Sequence, residues 1–284
     1  MVKQIVDVAI PLLTFFMMCL VGVDLDRHSL ATSLRARKLV AGGILGQAAL
    51  LPALALVLVA AFALPEPVAF GFILIAACPA GTISNFYVML AGANVALSVI
   101  LTILGCLASV LTLPLTFAVY GWWFGQASTI TVPAKLLVGQ LLVLVVVPVA
   151  LGAWLRHKRP DLAGDHAPKL RILGLVALAA LVGFVIVQDP VAVAEMMTGH
   201  VAPIVVFSAG CFLAGLLVAR LLGAAPDDRI TLGIEFMARN LAIAAAIAVT
   251  MLGRIELAAF AIAVFVYQVP LFLGAAWLHR RHAA

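Results

Sequence analysis

The residues best suited to chemistry stand in two short polar blocks inside apolar runs: Cys78-Pro79-Ala80-Gly81-Thr82-Ile83-Ser84-Asn85 and Gly233-Ile234-Glu235-Phe236-Met237-Ala238-Arg239-Asn240. In the first, proline removes a backbone donor and clashes with the preceding turn, glycine accepts an unwound conformation, and small polar side chains follow. An apolar surrounding tolerates such a break only where it is buried in protein or lines a cavity, so the block is a candidate ion or solute site. The second block sets a carboxylate and a guanidinium four residues apart. A charge at the centre of a membrane helix costs about 2.5–3.5 kcal/mol on insertion scales, so each needs a partner. On a continuous helix Glu235 and Arg239 share a face and can neutralise each other. Gln47 adds a neutral oxygen, as do Ser98 and Thr102, four residues apart on one face. With Glu235 they make the oxygen set that a hard cation prefers.

The elements that hold these blocks follow from composition. Of 284 residues 65% are hydrophobic and 10% charged, against about 45–50% and about 25% in ordinary soluble domains. The chain therefore reads as an all-α integral membrane protein. Nine apolar segments can be cut from it: 8–23, 39–64, 68–93, 95–124, 133–155, 172–187, 201–222, 230–252 and 255–278. They are continuous and lack the alternation of outer-membrane strands, so a helix is the way each backbone group finds a partner in lipid. The charged stretch from Arg156 to Arg171, with Pro160, Gly164 and Pro168, reads as a loop dividing a single membrane domain into halves of about 1–156 and 169–284. The first half holds four helices of a repeat plus the fifth span.

With the N-terminus outside, the inner loops collect 13 of the 17 Lys and Arg residues, from Arg27, Arg35, Arg37 and Lys38 to Arg280 and Arg281. Lys3 and Arg254 stay outside, with Lys135 at a boundary. The positive-inside rule thus selects nine spans, N-terminus out and C-terminus in, in a cytoplasmic (inner) membrane. The formal charge of +5 reports orientation and indicates no nucleic-acid partner. The third and eighth spans then run in opposite directions, each with a polar break ending in Asn85 or Asn240. That is the pattern of an inverted repeat with two broken, crossing helices. The four cysteines lie in apolar runs without metal-ligand spacing, and no nucleophile triad or phosphate-binding loop occurs, so no enzyme is expected. No protein partner is indicated beyond the lipid bilayer.

The block 78–85, the following Ala91-Gly-Ala-Asn-Val-Ala-Leu-Ser98 and Thr102 resemble the signature of the bile acid:sodium symporter family. Val21-Gly-Val-Asp-Leu25, the spacing of Gln47 to Pro52 and the block from Glu235 to Asn240 fall in family order, so the resemblance covers most of the chain. It implies core and panel domains, alternating access, a small organic anion as substrate and sodium as the coupled ion, in a nine-span member. It carries one sodium ion to Ser84, Asn85, Ser98, Thr102 and Glu235, and a second to Gln47 and Glu235. It gives Thr82 and Asn240 a substrate-facing role. Three departures stand out: Ala80 and Met237 replace glycines, and Arg239 replaces a glutamine of the second sodium site. A fixed guanidinium opposes a second cation, so one sodium ion is expected, with Arg239 as a permanent positive charge facing the anion. The alternatives are a sodium-independent or proton-coupled transporter, in which a Glu235–Arg239 pair replaces the cation, and a receptor or assembly protein without flux.

Overall fold

The computed structural model describes residues 2–24, 36–124, 134–188 and 190–283; Arg27 and Arg35 and the side chains of Lys3 and Thr82 lie outside the described residues. Among the described residues each named element is helical, and the extended pairing is one isolated backbone bridge. Helix α1 spans Val2–Val23, α2 Arg37–Ala61, α3 Glu66–Ala77, α4 Thr82–Ala91 and α5 Val95–Phe124. Next, α6 (Ala134–Leu141) passes through a π-helical stretch, Leu142–Val146, into α7 (Val147–Lys158). Helix α8 covers Pro160–Gln188, α9 Pro190–Gly199, α10 Val201–Leu221 and α11 Pro226–Met237. Helix α12 (Leu241–Ala246) continues through a second π-helical stretch, Ile247–Met251, and α13 covers Ile255–Ala283.

Among the described residues five helical runs are long and apolar enough to cross a membrane: Arg37–Ala61, Val95–Phe124, Ala134–Lys158, Val201–Leu221 and Glu256–Arg281. Shorter apolar helices cover Val8–Val23, Glu66–Ala77 and Leu241–Met251, two of them halves of broken elements. Leu111, Leu221 and Trp122 are among many large apolar side chains that face outward, which suits lipid and not water.

The expected loop from Arg156 to Arg171 is not a loop. Only Arg159 (φ −138°, ψ 65°) interrupts helical backbone, and α8 starts at Pro160 and runs through Pro168. Proline fits the first helical position, where no N–H is needed, and Asp161 sits favourably in the first turn. Charge alone misread this stretch, because a helix extending beyond the apolar zone is as polar as a loop.

Two stretches share one order of local structure 160 residues apart. Helices α2 and α10 end at Ala61 and Leu221. Each is followed by a left-handed residue, Ala63 (φ 47°) or Gly223 (φ 70°). Twelve-residue helices then start at Glu66 and Pro226, each ending in an extended residue, Cys78 or Ala238. After the second helical halves come Gly92 (φ 72°) and Gly253 (φ 64°), and long helices start at Val95 and Ile255.

Helix α1 packs chiefly on α7 and α8, while α10 packs on α11 and α2, α5 on α2, α3 and α4, and α13 on α3, α4, α9 and α10. Phe72 of α3 stands edge-on to Phe207 at 5.3 Å and Phe260 at 4.8 Å between ring centroids. The α1–α7 contact is set by a reciprocal glycine pair. A Cβ on Gly22 would fall 2.0 Å from the Val149 carbonyl oxygen, and one on Gly152 would fall 1.9 Å from that of Cys19. Backbone cannot yield as a side-chain tip does, so Gly152→Ala is expected to cost at least the ~1–3 kcal/mol of core overpacking. A lowered melting temperature of the detergent-purified variant, read by tryptophan fluorescence, checks this.

Candidate functional site

The two breaks meet. Proline at 79 forces Cys78 into extended backbone (φ −62°, ψ 146°), which ends α3 and frees its last carbonyls. Ala238 (φ −79°, ψ 95°) ends α11 in the same way. Ala80 and Arg239 then pair in antiparallel fashion, and the Asn240 N–H donates to the Pro79 carbonyl at 2.9 Å. Asn240 also caps α12, its Oδ1 accepting the Ile243 N–H at 3.1 Å. Gly81 suits this approach, since a Cβ there would sit a tight 3.2 Å from Asn240 Cα. Backbone groups freed by each break are thus satisfied by the other, as burial demands.

On one side of the crossing lies a cluster of oxygens. The Glu235 side chain is fully buried. Ser98 Oγ donates to Glu235 Oε1 at 2.5 Å and lies 2.7 Å from Asn85 Oδ1. Thr102 Oγ1 is 3.3 Å from Glu235 Oε2 and 3.4 Å from Asn85 Oδ1. Ser84 Oγ is 3.3 Å from Thr102 Oγ1 and donates to the Gly81 carbonyl at 2.8 Å. With the Ser84 proton on Gly81, the Ser98 and Thr102 protons are, among the described residues, shared between both carboxylate oxygens and the Asn85 oxygen, each of which can accept two. Asn85 turns its oxygen inward and leaves Nδ2 unpartnered. The cluster offers more acceptor lone pairs than hydroxyl protons around a carboxylate, which is the chemistry that fits a hard cation.

On the other side lies Arg239. Its Nη1 donates to Gln47 Oε1 at 2.9 Å and to the Glu235 carbonyl at 3.3 Å, and its Nη2 donates to the Cys78 carbonyl. The Glu235–Arg239 pair of the alternative reading is not one of the ion pairs within 4 Å among the described residues. The physical reason is the break. Helix α11 stops at Met237, so the four-residue register that would stack the two side chains is lost, and the guanidinium swings toward α2 and the end of α3. Gln47 likewise does not join the Glu235 carboxylate; its oxygen is on the guanidinium.

The unpartnered polar atoms here are N–H donors: Gln47 Nε2, Arg239 Nε and Gln268 Nε2. Arg239, Asn240 and Gln268 line a small cleft with Ile75 and Phe265. Arg239 and Gln47 line another small cleft with Pro79, Gly105 and Thr112. Donors without acceptors beside a buried positive charge suit an anion.

The structure thus gathers Ser84, Asn85, Ser98, Thr102 and Glu235 in one cluster, and Gln47, Arg239 and Asn240 around the other side. The Thr82 side chain lies outside the described residues. Sequence reasoning missed Gln268, buried at 3% exposure, although an amide in an apolar segment beside Pro270 was a readable signal. It also missed Thr14, whose fully buried hydroxyl lies 3.1 Å from the Ala242 carbonyl and ties α1 to the crossing. Met18 of α1 adds its sulfur 3.9 Å from Asn240 Nδ2.

Residues 11–196 match the sodium bile acid symporter family. A probable chloroplastic sodium/metabolite cotransporter of Arabidopsis thaliana is 31% identical over 222 residues, 77% of this chain and 53% of that protein. The P3 protein of Homo sapiens is 27% identical over 248 residues, 86% of this chain and 51% of its own. An ileal sodium/bile acid cotransporter of Cricetulus griseus is 27% identical over 214 residues, 74% and 61% respectively. The chain spans about half the length of the first two of these relatives. The two facing breaks and the match over 11–196 lead to one conclusion: the chain belongs to the sodium bile acid symporter family.

Proposed function

We propose that the protein is a secondary transporter that moves a small organic anion together with sodium by alternating access. The observation that carries this reading is the sorting of polar atoms at the crossing: proton-poor oxygens around Glu235 on one side, and unpartnered N–H donors around Arg239 on the other. Sodium would be held by Glu235, Asn85, Ser98, Thr102 and Ser84, and there supplies the positive charge that balances the carboxylate. Arg239 and Asn240, with Gln268, orient the anion, while α1 covers them through Thr14 and Met18. Movement of the group around α1, α7 and α8 against the rest exposes the crossing to either side in turn, because α1 is the element that lies across it. Nine spans, with the N-terminus outside an inner membrane, follow from the basic residues of the loops, and the shared local order 160 residues apart supports descent from an inverted repeat.

Vesicles containing the purified protein test this. Uptake of an anion selected by thermal stabilisation is expected to fall at least tenfold when choline replaces sodium, and unchanged uptake overturns the coupling. In the same assay Gln268→Leu removes an unpartnered donor, so folding stability stays level or rises while anion affinity falls about tenfold, the worth of one hydrogen bond. Undiminished affinity in that variant takes Gln268 out of the anion site.

A further inference from the structure

We infer that one singly charged anion travels with one sodium ion and that the exchange moves no net charge across the membrane. This deepens the symport reading and rests on it. Among the described residues, the charged side chains buried at the crossing are Glu235 and Arg239, one negative and one positive. They are not paired with each other. The carboxylate faces hydroxyls, and the guanidinium faces the neutral oxygens of Gln47, Cys78 and Glu235.

Without ligands the buried charge therefore sums to zero, yet each charge keeps unused capacity for an ion of opposite sign: oxygens lacking protons on one side, an N–H lacking an acceptor on the other. One sodium ion at the carboxylate and one monoanion at the guanidinium restore a sum of zero with each ion beside its own counter-charge. A dianion would leave a net negative charge there and an uncharged molecule a net positive one, and an uncompensated charge is costly in a low-dielectric interior. A second free sodium is opposed because three oxygens that would receive it already accept from the guanidinium. Since the loaded and empty crossings are both neutral, the membrane field does no net work on either.

The test uses the protein in potassium-loaded vesicles with valinomycin, offered straight-chain monocarboxylates of four to eight carbons, their amides and the matching dicarboxylates. Expected are monocarboxylate uptake with a sodium Hill slope of one, less than a twofold change when the interior is made negative, and at least tenfold slower uptake of amides and dicarboxylates. Sodium-dependent uptake with a slope of two, uptake accelerated severalfold by the potential, or preference for a dicarboxylate overturns the inference and leaves sodium symport standing. Uptake of none of the monocarboxylates overturns the substrate class. Monocarboxylate uptake unaffected by replacing sodium with choline overturns the symport reading, and this inference with it.

Discussion

Glu235→Gln is expected to abolish sodium-dependent uptake and sodium-dependent thermal stabilisation together. The glutamine is nearly isosteric, so packing is kept and Ser98 retains an oxygen to donate to, now without the charge. What disappears is the one negative charge among the cluster's oxygens. At an effective dielectric near 20 and a separation of 4 Å that charge is worth on the order of 4 kcal/mol to a cation, which is ~1,000-fold in affinity. The same change leaves the buried Arg239 uncompensated, so the variant is also expected to melt earlier. Glu235→Asp keeps the charge but draws it back by one methylene, and an intermediate loss of sodium affinity is expected. Melting curves across a sodium titration check both variants, because sodium binding to the folded state raises the apparent stability. A glutamine variant that is stabilised by sodium as strongly as the parent would remove Glu235 from the cation site.

Arg239→Gln is expected to act in the opposite sense on the cation and in the same sense on the anion. The guanidinium holds acceptors from three elements: Gln47 Oε1 on α2, the Cys78 carbonyl at the end of α3 and the Glu235 carbonyl on α11. Glutamine withdraws the charge and most of those N–H groups, leaving oxygens that suit a hard cation beside a carboxylate that has lost its balancing charge. Sodium dependence is therefore expected to steepen from first to second order, and uptake to become driven by an inside-negative potential. Anion affinity is expected to drop ~10- to 100-fold, since a hydrogen bond to a charged group contributes about 1.5–3 kcal/mol. Arg239→Lys separates charge from shape. It keeps first-order sodium dependence but cannot span the three acceptors as a planar fork does, so weaker anion binding is expected without a second ion. Sodium titrations of uptake in the three proteins read all of this, and an unchanged order with intact anion affinity in the glutamine variant would leave Arg239 a structural residue only.

Much of the site was legible in the order of residues. Pro79 and Gly81 mark a break because their effects on the backbone are local, and Glu235 marks a site because an intramembrane charge must be compensated. The oxygen cluster was also within reach. Ser98 and Thr102 share a face by helical periodicity, and Ser84 and Asn85 follow the break at once. Helical register stops fixing side-chain direction at Met237, where α11 ends. Up to that residue a side chain's direction follows from its helical register; beyond it, direction depends on what the extended backbone pairs with, and that partner lies 159 residues earlier at Ala80. The four-residue spacing of Glu235 and Arg239 therefore predicted a pair that the fold keeps apart. The charged stretch around Pro160 failed for a different reason, since polarity records leaving the apolar zone and says nothing about whether the helix stops there.

Composition dictates a helical membrane protein, because 65% apolar residues leave backbone groups no partners except one another. Residue order marks the two places where that regularity fails and the side chains available there. Long-range packing makes the breaks face each other and brings Gln47 to Arg239 across 192 residues. It alone turned Gln268 toward the same cavity and set the carboxylate and the guanidinium on opposite sides of one crossing. Hydropathy and helical period are properties of neighbours in the chain, whereas the direction of a side chain at a helix break is fixed by whichever distant backbone satisfies the freed N–H and C=O groups.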